Sequence, residues 1–102
     1  MAAVRNTYMS DYSISEEETQ RLVNFCRNAD EEERKIIKEI SESVYPDIAE
    51  QLFLNLTTGI GYDNLCKKDP IRMQRKDFQG YRRKTLKELY DFINKEGTAY
   101  DK

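Results

Sequence analysis

Arg75-Lys76-Asp77-Phe78-Gln79-Gly80-Tyr81-Arg82-Arg83-Lys84-Thr85-Leu86-Lys87-Glu88-Leu89 is the stretch whose reading decides the fold. Phe78, Tyr81, Thr85, Leu86 and Leu89, continued by Phe92 and Ile93, recur at steps of three and four residues. That is the period of a helix with one apolar face. The spacing predicts a long helix over about 75–94, ended by Gly97. With Phe78, Tyr81 and Thr85 turned inward, Arg75, Lys76, Gln79, Arg82 and Arg83 are expected on the outward side of its first turns. Gly80 costs a helix interior about 1 kcal/mol against alanine. Close packing against the short helix upstream is the expected reason for it.

Upstream, Asp69-Pro70 breaks the pattern, and residues 69–74 read as a turn with Ile71 tucked inward. Tyr62–Lys68 fits a short helix with Leu65 and Cys66 inward. Ile48, Ala49, Leu52, Phe53 and Leu56 make the most apolar helix, opened by Pro46 and closed at Gly59. Two earlier helices each begin with a capping box, Ser15 with Glu18 and Asp30 with Glu33. Ile36, Ile37, Ile40 and Val44 give the second its apolar side, and Pro46 stops it near Tyr45. Residues 1–14 show no periodicity and read as a flexible or extended arm, and 97–102 as a tail. The expected fold is all-α: one domain over 15–96, a bundle of about five helices, with a helix-turn-helix-like unit at about 48–94.

The 102 residues suit one hydrophobic core rather than two. Histidine is absent, and two cysteines stand forty positions apart. Structural zinc, which takes four Cys or His ligands, and histidine-based nucleophile systems are therefore excluded. Gly59-Ile60-Gly61 lacks the phosphate-loop spacing. No cofactor is expected and no enzyme activity. Nothing is apolar for long enough to span a membrane, so no membrane partner is expected, and a soluble cytoplasmic chain is.

Charge is unevenly spread. Residues 16–56 carry eleven acids against five bases, whereas Lys67–Lys87 carries nine bases against two acids. A partner meets that local surplus rather than the net charge of −2.

Ile60-Gly61-Tyr62-Asp63-Asn64-Leu65, then Ile71, then Asp77 to Leu86 resembles the ending of sigma-factor region 4 proteins. It resembles more closely the small sigma-like regulators of Gram-positive phages, the ArpU/RinA type. The start, Tyr12-Ser13-Ile14-Ser15-Glu16-Glu17-Glu18, is similar to short proteins of prophages and mobile elements of Firmicutes. The resemblance implies a recognition helix in the major groove of duplex DNA. The turn over Lys68–Gln74 runs about two residues longer than in sigma-type units.

The expected nucleic-acid-binding residues are Lys67, Lys68, Arg72, Arg75, Lys76, Gln79, Arg82, Arg83 and Lys87. Arginine grips guanine bidentately, glutamine pairs with adenine, and lysine meets phosphate. The expected function is a DNA-binding transcriptional regulator of a phage or mobile element. It would act as a homodimer or beside RNA polymerase. The alternative is a phage-encoded accessory or inhibitor that binds a host or defence nucleoprotein, in the manner of anti-CRISPR proteins, presenting its acidic first half or its basic last helix.

Overall fold

A computed structural model describes residues 4–96. Five α-helices follow one another: α1 (Glu16–Arg27), α2 (Glu31–Val44), α3 (Ala49–Thr58), α4 (Tyr62–Lys68) and α5 (Arg75–Glu96). No strand occurs among the described residues. The fold is all-α, as the periodicity implies. The expected stop at Gly97 and the tail lie outside the described residues.

Local chemistry sets the boundaries. The Ser15 hydroxyl accepts from the Glu18 amide at 3.1 Å, and the Asp30 carboxylate accepts from the Glu33 amide at 2.8 Å, so both capping boxes form. Tyr45 is extended and ends α2 before Pro46. Pro46–Ile48 then forms one 3-10 turn rather than the first turn of α3. Gly59 closes α3 in the left-handed region, at φ 84°. A Cβ there would meet the Arg27 guanidinium at 2.8 Å, the end of a flexible side chain that can give way, so it is the positive φ that calls for glycine.

Two apolar clusters fill the interior. Leu22, Cys26, Ile37, Leu56, Leu86, Leu89 and Ile93 join α1, α2 and the end of α3 to the second half of α5. Ile48, Leu52, Leu65, Ile71 and Phe78 seat α4 and the following turn against the start of α5. Phe78 is fully buried, and Tyr81 meets Tyr45 edge-on at 4.7 Å between centroids. Buried hydroxyls are satisfied locally: Ser41 donates to the Ile37 carbonyl and Thr85 to that of Tyr81, both at 2.8 Å.

The amino-terminal segment departs from the expected loose arm. Val4–Asn6 and Met9–Tyr12 are 3-10 turns, Ile14 is buried, and Met9 and Tyr12 pack on the larger cluster. The segment lies along α5, so the folded unit begins before residue 15.

Gly80 shows why the contact is so close. A Cβ on it would stand 2.6 Å from the Val4 carbonyl carbon and oxygen and 2.8 Å from the Arg5 nitrogen. The neighbour that requires glycine is therefore this amino-terminal backbone, not α4.

Candidate nucleic-acid interface

Of the nine expected contact residues, eight divide into three groups, and Gln79, half-buried, lines a groove beside the amino-terminal segment. Lys67, Lys68 and Arg72 are exposed at the end of α4 and on the turn after it, with no ion pair among the described residues. Lys76, exposed in the first turn of α5, is likewise unpaired there. Arg72 also borders a cavity of about 310 Å³ that includes Asp47, Gln51 and Asp69.

Arg75 belongs to the same corner but has partners. Its Nη2 donates to Asp63 Oδ1 at 2.7 Å, and its guanidinium lies 5.2 Å from the centre of the Tyr62 ring. That hydrogen bond to Asp63 raises the guanidinium's pKa. The Tyr62 hydroxyl donates to the Met73 carbonyl, tying the start of α4 to the turn. Burial, and behind it Cys66, push that phenol's pKa up.

The third group is drawn into the fold. Arg82 Nε donates to Asn55 Oδ1 at 2.6 Å, while the Asn55 amide donates to the Ile60 carbonyl. Burial lowers the Arg82 pKa, with the nearby Arg27 and Arg83 charges acting the same way. The expectation of an outward Arg82 is thus corrected. At 100° per residue Arg82 stands about 40° from Phe78, on the inward stripe with Leu86 and Leu89. Cys26 lies close by, and burial holds its thiol up at about 12.

Arg83 is also half-buried, against the amino-terminal segment. Its Nε donates to the Thr7 carbonyl at 2.7 Å; its Nη2 reaches the Arg5 carbonyl at 3.2 Å and that of Val4 at 3.4 Å. The Tyr8 ring centre lies 4.6 Å from the guanidinium. Lys87 pairs with Asp91 at 2.5 Å and stands 5.9 Å from the Tyr12 ring centre. Its hydrogen bond to Asp91 raises its pKa.

The structure also adds Arg5, which no helical pattern flags. Its Nε donates to Asp77 Oδ1 at 2.9 Å and its Nη2 to Gln74 Oε1 at 2.7 Å. Arg5, Asn6 and Tyr8 line a groove of about 250 Å³ together with Arg75, Lys76, Gln79 and Arg83. Arg82 and Lys87 are not among its walls.

Among the described residues no helix is long and apolar enough to cross a membrane, and no cluster of three or more His, Cys, Asp or Glu could hold a metal ion. No protein family, curated protein or solved structure matches the chain.

Proposed function

We propose that the chain is a small DNA-binding regulator, carried by a phage or mobile element, that acts by binding and without catalysis in the host cytoplasm. Its contact surface is the corner formed by the end of α4, the turn and the first turn of α5. One observation carries this reading. Two carboxylates of the corner pair with arginines, Asp63 with Arg75 and Asp77 with Arg5. Asp69 accepts from the neutral Gln51 amide, and the exposed Asp47 across the cavity has no ion pair among the described residues. Lys67, Lys68, Arg72 and Lys76 are left exposed and unpaired among the described residues. Four unpaired bases against the two uncompensated acids leave the surface positive, which attracts phosphate.

With Arg82 and Arg83 withdrawn, the corner is better suited to gripping the DNA backbone than to reading base edges. Those withdrawn arginines are also the observation favouring the second reading, a protein-binding accessory or inhibitor. The exposed acids that open α1 and α2, Glu16, Glu17, Glu31 and Glu32, would supply its contact face.

Titrating random-sequence duplex with the full chain at several salt concentrations tests the first reading. Binding is expected to weaken steeply with salt. Combining Lys67→Gln, Lys68→Gln and Arg72→Gln should flatten the logarithmic slope by about 0.9 per phosphate contact removed. Absent or salt-independent binding overturns the reading. A stoichiometric protein captured from a nuclease-treated Firmicute lysate would then favour the second.

A further inference from the structure

Resting on the nucleic-acid reading above, we infer that the groove between the amino-terminal segment and α5 is a formed seat for a phosphate group, supplied under that reading by the DNA backbone. Arg5, Tyr8, Arg75, Lys76, Gln79 and Arg83 are the walls that matter. The groove's volume of about 250 Å³ far exceeds the roughly 10–15 Å³ that one water requires.

The argument begins with Arg83. Its guanidinium is half-buried, and its partners are the carbonyls of Val4, Arg5 and Thr7 and the face of Tyr8. All four are neutral. Facing the groove, that charge has no opposite charge to meet it, and carbonyl dipoles supply only part of the compensation. No carboxylate pairs with Arg83 among the described residues, and its Nη1 makes no hydrogen bond there.

The other charges point the same way. Arg5 and Arg75 each have a carboxylate partner, in Asp77 and Asp63, whereas Lys76 and Arg83 have none among the described residues. The groove thus carries a surplus of two positive charges, and a phosphate would supply the missing counter-charge.

The chemistry of the walls suits that ligand. With Nε and Nη2 of Arg83 taken by carbonyls, its Nη1 is the donor left for a phosphate oxygen; lysine adds a point charge, and the Gln79 amide is a further donor. The three carbonyls fix the guanidinium before the ligand arrives, which lowers the entropy lost on binding. Gly80 lets the amino-terminal backbone approach closely enough to do so. Arg83 and Lys76 would touch the ligand; the carbonyls of Val4, Arg5 and Thr7 act as positioning groups.

The test follows the full chain by NMR while inorganic phosphate is added, with chloride at matched ionic strength as the control. Saturable shifts of the Arg83 Nε and Gln79 amide signals with phosphate alone are expected. Equal shifts with chloride, or none at these positions, overturn the seat. In the duplex titration Lys76→Gln should flatten the salt slope by about 0.9, as should Arg83→Gln. Because Lys76 also belongs to the corner, its slope alone does not separate the two readings. In the phosphate titration of Lys76→Gln the Arg83 Nε and Gln79 shifts should saturate at higher phosphate. An unchanged titration overturns the seat even if Arg83→Gln releases the amino-terminal segment. Slopes unchanged in both variants, with the Lys67, Lys68 and Arg72 variant still weakened, overturn the seat and leave the DNA reading standing. No duplex binding, with saturable phosphate shifts in the groove, supports the seat and removes the DNA reading. Displacement of phosphate by polyglutamate at equal charge concentration would overturn the preference for phosphate.

Discussion

The corner around α4 and the amino-terminal half of α5 draw on the same basic stretch of sequence, yet present it in opposite ways. In the corner, Lys67, Lys68 and Arg72 stand in solvent. Along α5, Arg82 is bound to Asn55, and Arg83 is tied to three carbonyls from residues more than seventy positions away. Charge counted along the chain is therefore not charge offered to a partner. Availability depends on what the fold lays beside each side chain, and here a segment without helical periodicity decides it.

Forcing the amino-terminal segment away from α5 should break the contrast most severely. Gly80→Leu places side-chain atoms where the Val4 and Arg5 backbone runs, 2.6–2.8 Å from the new Cβ. Relief of the glycine penalty returns about 1 kcal/mol, but backbone cannot yield as a flexible side chain would. A net loss of about 1–3 kcal/mol in chemical denaturation is expected. Faster amide exchange over residues 4–12, with α1 to α3 unchanged, would locate the damage. Full protection of residues 4–12 in the variant would refute the account of Gly80.

Much of the fold can be read in the sequence because its causes are local. Ser15 with Glu18, Asp30 with Glu33, Pro46 and Gly59 set helix ends through neighbours within four residues, and the apolar steps from Phe78 to Ile93 set the inward face. The candidate site was less legible. Arg82 was in principle readable, since it is four residues from both Phe78 and Leu86 and so shares their stripe. The polarity of its side chain masks a position that the helix buries. Arg83 and Arg5 were not readable, because 3-10 turns leave no 3.6-residue signature and the contacts span long separations. Gly80 was a visible signal of close approach, but it does not name the neighbour.

Removing one charge from each region sharpens the comparison. Arg82→Met keeps the aliphatic stem and deletes the bond to Asn55, leaving that carbonyl oxygen without its donor. Loss of a hydrogen bond from a charged group amounts to about 1.5–3 kcal/mol, partly offset by no longer burying the charge. A net loss of about 1 kcal/mol is expected. Arg72→Gln in the corner should shift stability by less than about 0.5 kcal/mol, as exposed sites do. Equal losses in the two variants would mean that the regions do not differ as described.

An effect that shows only at high pH concerns the thiol beneath Arg82. Burial raises Cys26 from the ordinary 9.0 to about 12, so between those values the folded chain keeps a proton that the unfolded chain releases. The contribution is fully present below pH 9 and is lost as pH rises toward 12. The slope is about 1.4 kcal/mol per pH unit at most, giving a loss of about 1.4 kcal/mol by pH 10. Cys26→Ala should lower stability at pH 7 through the cavity it leaves, yet lose less between pH 8 and 10 than the parent chain does. Parallel curves for the two proteins would place the thiol nearer to water than the packing around Leu22 and Leu56 allows. They would also weaken the case that Arg82, its neighbour, is held away from solvent while the cations of the corner are free.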